Sequence, residues 1–427
     1  MSDWPEICLS ELASINIGGT PSRAIPAFWV EKPNGYPWIS IADLKGKYVF
    51  DTKEHITSLG VRSSNVKLIP EQTTVMSFKL TVGRAAITAR EMFCNEAIAI
   101  FQPKDERLSG RWLFHAIPGV AGSVVTDTAV KGATLNKAKM AEMKLRLPPL
   151  AEQVRIAEIL DTLDTAIHET EAIIVKLKAI NQGLLHDLLT RGIDANGELR
   201  PTQAEAPHLY NPSPLGWIPK DWGVRPLREV ADVVDPQPDH RTPREEEDGA
   251  PYIGIGDFDD IGNVDLTSCR KVVWSALEKQ ERRFSLGEGD IIFGKIGTIG
   301  KPKLLPEGRY AITANVLLIQ PKRKNSFLYW VICSSVFERQ ILDVTNTTSQ
   351  PALGIETVRE LLVHIPPDNE SISIASRLNA CSESLVSERA ILKKLIRQKD
   401  GLMADLLTGR VRVTPLMTEA AYQAGST

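Results

Sequence analysis

The chain is written twice. GLLHDLLT at 183–190 returns as GLMADLLT at 401–408, and the offset of 218 holds far upstream. It pairs Trp4, Leu9, Glu11 and Ala13 with Trp222, Leu227, Glu229 and Ala231, and Gln102-Pro103-Lys104 with Gln320-Pro321-Lys322. It also pairs Leu135 with Leu353, Pro148-Pro149 with Pro366-Pro367, and Leu160 with Leu378. Small gaps open between these anchors, as where PWISIAD (37–43) meets PYIGIGD (251–257), and the offset returns after each. Chance matching does not restore one offset repeatedly, so the 427 residues form two copies of a unit of about 200. The last ~45 residues of each copy align without gaps, and the part before them shares only islands.

The gap-free part reads as a long helix. Residues 150–190 contain no proline and one glycine, and Ile156, Leu160, Leu163, Ile167, Ile174, Leu177, Leu184 and Leu188 follow steps of four and three with Thr170 and Asn181 in the breaks. The second copy repeats this as Ile374, Leu378, Cys381, Leu385, Leu392, Leu395, Leu402 and Leu406, with Glu388 and Lys399 in the breaks. That is a heptad seam. Prolines stand before each helix, and Gly192 and Gly409 serve as C-terminal stops. A single-seam helix of roughly 60 Å needs a partner, and the other copy supplies the matching seam. The proline-rich linker after Gly192 is long enough to return the chain, so an antiparallel pair is expected, with two unlike domains related by an approximate two-fold axis. Gly183 and Gly401 occupy the same place in each copy, where a small residue allows close approach by the facing helix or a partner.

The divergent parts, 1–147 and 217–365, hold short β-rich runs: WISIADL, AIAIFQP, YIGIGDF, DIIFGKIG and NVLLIQP. Shorter helical patterns lie at 109–117 and 326–341. These read as mixed domains with a curved, largely antiparallel sheet, giving an α+β fold overall. KLTVGRAA and KIGTIGKPK read as glycine-containing hairpins presenting Lys79 and Arg84 in one copy, and Lys295, Lys301 and Lys303 in the other. Arg23 and Arg241 recur in polar loops, and Lys131 joins them as a candidate contact.

Enzyme signatures are missing or broken. GKIGTIGKP has one residue too many between its glycines for a phosphate loop, and Pro302 stands where a magnesium-binding hydroxyl is needed. NPSPLG at 211–216 lacks the aromatic residue of an amino-methyltransferase motif. Glu245-Glu246-Glu247-Asp248 reads as a solvated loop, and no Ser/His/Asp or metal-spaced set is recognisable. The five scattered cysteines form no CxxC pair and fit neither a disulfide framework nor a zinc site. No apolar run approaches a membrane span and no secretory leader is visible, so a cytoplasmic protein without membrane contact is expected. The net charge of −3 gives no general nucleic-acid footprint. Residues 1–147 carry 18 basic and 14 acidic residues, whereas 217–365 carry 19 and 22, so the second domain must sort its charges onto separate faces to bind DNA.

LRLPPLAEQVRIAEILDTLDTAI (145–167), with the helix ending in QGLLHDLLTRG (182–192), resembles the spacer region of type I restriction–modification specificity subunits. GGTPSR (18–23), Phe28-Trp29, PWISIAD and VGRAAI (82–87) resemble that family's target-recognition domain, and the second half repeats the pattern more weakly. The resemblance implies two globular target-recognition domains in tandem repeat, at 1–147 and 217–365, joined by two long antiparallel coiled-coil helices with pseudo-two-fold symmetry. The spacer helices fall at 148–192 and 366–410, the linker at 193–216 and a C-terminal tail at 411–427. It implies a non-catalytic subunit that binds double-stranded DNA, each domain reading one half of a split asymmetric site while the helices set the gap. It implies two modification (methyltransferase) subunits that hold S-adenosylmethionine, and restriction subunits that use ATP and magnesium, with no cofactor on this chain. Pro148, Pro149, Glu152 and Gln153, with Pro366, Pro367 and Glu370, are the implied docking residues. In the second copy PPxxEQ has become PPDNES, which leaves the two docking sites unequal, and GGTPSR has become PQPDHR, which alters the loop contacts of the second recognition domain. Two other readings stand beside this one. A coiled-coil interaction scaffold without DNA-reading function fits the acidic second domain, and a self-contained nuclease or methyltransferase would need motifs that are missing.

Overall fold

The computed structural model describes residues 3–126, 135–239, 241–259, 262–345 and 352–416. Its contacts divide the chain into two compact units, one of 1–169 with 393–427 and the other of 170–392. Both divisions cut through the long helices, because each unit combines a mixed domain with one end of each helix.

In the first unit the largely apolar run Ile98–Pro103 is a central strand, paired antiparallel with Ala13–Ile17 on one side and Thr74–Ser77 on the other. Ala85–Thr88 extends that sheet, and Tyr48–Val49 closes it through a parallel pairing. A second sheet is built around Tyr36–Ile39, which pairs antiparallel with Glu54–Ile56 and parallel with Phe93–Cys94. PWISIAD is therefore a strand that runs into a tight turn, where the Asp43 carboxylate accepts from the Ser40 backbone N–H at 2.8 Å. Helix Gly110–Thr126 covers the central sheet and buries Trp112, Leu113 and Ile117.

The second unit repeats this plan with altered side chains. Val316–Pro321 lies between Ala231–Val234 and Ile291–Gly294, and Pro302–Leu304 follows at the edge. Tyr252 and Ile253 pair parallel with Ala311 and Ile312, and Asp257 caps the equivalent turn at Gly254 N–H, 2.7 Å away. Three expectations change here. Pairing is largely antiparallel as expected, but each domain divides it among separate sheets that also include parallel pairings. The acidic run 245–248 is not a loop: it opens strand Glu245–Ile253, with a bulge against Val272 and with Glu245 and Glu246 paired to Arg270 and Arg244. The helical pattern at 326–341 becomes two helices, Phe327–Ile332 and Ser335–Thr345.

The heptad helices form as read, as α1 (Leu150–Thr190) and α2 (Asp368–Leu406). A short ladder roots each one. Glu6–Cys8 pairs with Lys144–Arg146 just before α1, and Gly223–Pro226 pairs with Leu362–Ile365 just before α2. Every seam position from Ile156 to Leu188 and from Ile374 to Leu406, the polar breaks included, is buried or half-buried, while Val175 and Ile180 off the seam are exposed. In the first unit Ile156 and Leu160 share a core with Leu402 and Leu406. In the second, Leu184 and Leu188 share one with Ile374 and Leu378. The start of each helix thus packs on the end of the other, which makes the pair antiparallel. Gly183 and Gly401 do not serve the facing helix, because a Cβ at either position would meet nothing within 4 Å. No helix among the described residues is long and apolar enough to cross a membrane.

His364, in the strand that roots α2, is buried with its ring 5.8 Å from that of Trp222. Burial pushes its pKa down to about 4. An unfolded histidine near 6.5 binds a proton that the folded one refuses, so this contribution is full above pH 6.5 and is lost as pH falls towards 4. Denaturation of the protein between these limits should show a loss of about 3 kcal/mol that His364→Phe removes.

Candidate nucleic-acid interface

The two basic hairpins lie at equivalent places and share their internal bonds. In the first, Ser77 N–H donates to Arg84 O at 2.8 Å and Gly83 N–H to Ser77 O at 3.0 Å. In the second, Gly294 N–H donates to Lys301 O at 3.4 Å and Gly300 N–H to Gly294 O at 3.1 Å. Gly83 and Gly300 both have positive φ, 88° and 75°, which explains the shared glycine. Arg84 and Lys301 are exposed and enter no ion pair among the described residues. Lys79 is half-buried, with its ammonium 5.7 Å from the Phe78 ring. Lys303 is similarly placed 5.7 Å from the Phe258 ring.

Other expected contacts are committed elsewhere. Lys295 is not a presented cation: it is buried, and its ammonium lies 2.6 Å from the Asp235 carboxylate. The hairpin bonds set it opposite Phe78 and not Lys79, since Phe78 N–H donates to Ala97 O as Lys295 N–H donates to Asn315 O. Arg23 forms a fork with Glu54, one arm at 2.9 Å, and its guanidinium lies 3.8 Å from the Trp29 ring and 5.1 Å from the Trp38 ring. Those contacts rivet the GGTPSR loop to the second sheet and explain the Phe28-Trp29 pair beside it. Arg241 is exposed and lines a cleft of about 220 Å³ with Lys279 and Arg283. Lys131 lies outside the described residues.

The PPxxE motifs are locks within each unit. Glu152 is buried and accepts both arms of Arg412, at 2.6 and 3.0 Å, and that guanidinium also lies 5.3 Å from the Trp4 ring. Glu370 accepts from Arg200, one arm at 3.1 Å, and from Ile193 N–H at 2.9 Å. A Cβ on Gly192 would meet Glu370, Arg200 and Trp222 within 2.6 Å, so the helix stop there must be glycine. Each glutamate therefore holds the segment that follows the other copy's helix. Gln153 is fully buried, accepting from Ser109 N–H at 2.8 Å and donating to Arg107 O at 2.7 Å and Pro148 O at 2.9 Å. Glu152, Gln153 and Glu370, expected as docking groups, are therefore structural. Pro148 and Pro366 are buried too, while Pro149 and Pro367 are exposed. Sequence reading missed Arg412 and Arg200 because they lie at unmatched distances beyond the helix ends.

A charged cluster was also missed. Asp161 on α1 is met by Lys47, Arg111 and His115, the last at 2.7 Å, and Asp164 is met by Lys399 of α2. Burial would raise the Asp161 pKa, but these partners outweigh it and hold the carboxyl below the usual range. His115, Asp161 and Asp164 have metal-like spacing, yet three cations already engage their carboxylates. The cluster ties the first domain to the helix pair, and its partners come from segments far apart in sequence.

Two unlike copies of one mixed domain, each carrying a basic hairpin and each rooted on one end of a helix pair, define a paired recognition module. Residues 1–179 and 219–397 match the family described as Type I restriction modification DNA specificity domain. The chain belongs to that family. It is 22% identical over 405 residues to the type I restriction enzyme MjaVIII specificity subunit of Methanocaldococcus jannaschii, covering 88% of each chain. It is 25% identical over 333 residues to the EcoBI specificity subunit of Escherichia coli, covering 73% of this chain and 68% of that one. The fold is similar to the crystal structure of a type I restriction–modification S subunit from M. genitalium, with a TM-score of 0.60 at 14% identity over 95% and 96% of the two chains.

Glu370→Ala leaves the half-buried Arg200 and the Ile193 N–H without their acceptor. Chemical denaturation should show a loss of about 2–3 kcal/mol, below the range for a fully buried pair because solvent reaches part of this one. Glu152→Ala should destabilise the first unit in the same direction.

Proposed function

We propose that this chain is the sequence-specific DNA-binding subunit of a type I restriction–modification complex, in which each recognition domain reads one half of a bipartite asymmetric site. The family match across both repeats carries this reading. The exposed Arg84 and Lys301 at equivalent hairpin ends support it, because cations on a protruding hairpin suit phosphate contact beside base reading in the major groove. Divergence between the two domains makes the halves unlike. Methylome sequencing of a host carrying this subunit with its modification partner should give a non-palindromic motif in two parts. A palindromic or contiguous motif would refute the assignment.

The helix pair is the ruler. Removing one heptad from each helix subtracts ~10 Å, so the gap between halves should shorten by about three base pairs while the letters of both halves stay the same. Changed letters would count against this role.

The partners are two modification subunits, which hold S-adenosylmethionine and flip and methylate adenine, and restriction subunits using ATP and magnesium. This chain contributes no chemistry of its own. With the motif glutamates consumed internally, docking falls to exposed apolar groups on the helices: Leu150, Val154, Ile173, Val175 and Ile180 on α1, and Ile372, Ile391 and Ile396 on α2. Ile173→Glu with Ile180→Glu should abolish co-purification of the modification subunit without changing the melting temperature of the isolated chain.

A further inference from the structure

The tips of the two hairpins carry apolar side chains that the fold does not use. Leu80 is 93% exposed and Ile296 is 45% exposed, and neither belongs to any hydrophobic cluster among the described residues. A single exposed leucine is ordinary on a protein surface. These two lie at adjacent steps of equivalent hairpins, because the shared bonds set Ile296 opposite Lys79 and Leu80 opposite Gly297. Leu80 also has φ +60°, a left-handed backbone that bulky residues rarely adopt and that glycine would take without strain. The tip is nevertheless held firmly. Ser77 Oγ donates to Lys79 O at 2.9 Å, Thr81 N–H donates to the same oxygen at 2.7 Å, and the neighbouring Phe78 is buried. In the second copy Lys295 N–H and Ile296 N–H both donate to Asn315 O, at 2.9 and 3.3 Å, and Leu353 N–H donates to Lys295 O at 3.0 Å.

We propose that Leu80 and Ile296 are stacking wedges, each entering the base stack of one half-site at the step from which a base is flipped. The inference rests on the DNA-binding function above. Neither side chain can donate or accept a hydrogen bond, so neither reads base edges through the donor–acceptor code. What remains to an apolar tip on DNA is insertion between bases or contact with a thymine methyl group. Insertion fits better. The tip is narrow, because Thr81 and Gly83 follow Leu80, and Gly297 and Thr298 follow Ile296. The ordering of the blade is complete before DNA arrives, so little entropy is lost on insertion. The flanking Arg84 and Lys301 are free to neutralise the phosphates on either side. One wedge in each half also matches one flipped base in each half, where unstacking opposes the reaction.

The test uses the full chain assembled with its modification subunits and a duplex bearing the site found by methylome sequencing. Flipping is read by 2-aminopurine fluorescence at the target position of each half, and methylation is read on unmodified duplex, each half separately. Leu80→Ser should lower both signals about tenfold or more in one half, leaving the other half and the letters read unchanged. Ile296→Ser should do the same in the opposite half, and Leu80→Met should retain activity. Unchanged fluorescence and methylation in the serine variants would overturn the proposal. So would an altered letter with normal flipping, which would assign the tips to thymine-methyl contact. DNA binding by the unsubstituted complex is measured first against salt. A flat salt dependence there would refute the DNA-binding function itself, independently of the wedges. Because Leu80 is almost wholly exposed, the serine variant should melt as the parent chain does.

Discussion

A helix of 39 or 41 residues with one apolar seam is stable only when that seam is covered along its length. That requirement organises the rest of the molecule. Each copy of the repeat brings one such helix, and the two run antiparallel, so the start of each meets the end of the other. The mixed domains then complete the cover at the helix ends, where Ile156 and Leu160 sit in one core and Ile374 and Leu378 in the other. Polar residues interrupt the seam at Thr170, Asn181, Glu388 and Lys399, and the Lys399–Asp164 pair shows one such break used as a bond. Breaks of this kind weaken a seam but fix its register.

Periodicity made the helices legible because a heptad is a local pattern repeated over many turns. The strands AIAIFQP and NVLLIQP were legible for the same reason, as short apolar runs bounded by proline. The hairpins were legible from glycine and the repeat. What sequence could not show was commitment. Lys295 and Lys79 read as matching hairpin cations, yet only the folded chain sets Lys295 opposite Phe78 and brings Asp235 to it. Arg23 reads as a loop cation until Trp29, Trp38 and Glu54 converge on it from separate strands. PPxxEQ reads as a surface motif until Gln153 is seen bonded to Arg107 and Ser109. In each case the deciding partner lies far off in sequence, and pairwise recurrence carries no information about it.

The copies share one internal carboxylate and differ at other internal charges, since Asp161 and Asp164 stand where the second copy has Asn379 and Ser382. Glu152 and Glu370 keep their place, while the guanidinium that meets each comes from an unmatched position. The second motif, PPDNES, loses the glutamine, and Ser371 takes a smaller share of the work through Asp368 O at 2.8 Å. Asn325 and Asn379 add side-chain bonds in that neighbourhood. A lock can thus survive the replacement of most of its parts when one buried carboxylate stays fixed.

The Arg412–Glu152 pair has a consequence for the order in which the protein is made. The second unit, 170–392, is a continuous stretch of chain, whereas the first needs residues from both ends. The first domain leaves the ribosome earlier, yet the helix end and arginine that close it are translated more than two hundred residues later. At ~5–20 residues per second this is a delay of roughly 12–50 s. For that interval the apolar face of Ile156 and Leu160 has no Leu402 or Leu406 to cover it. The part synthesised first is the part completed last.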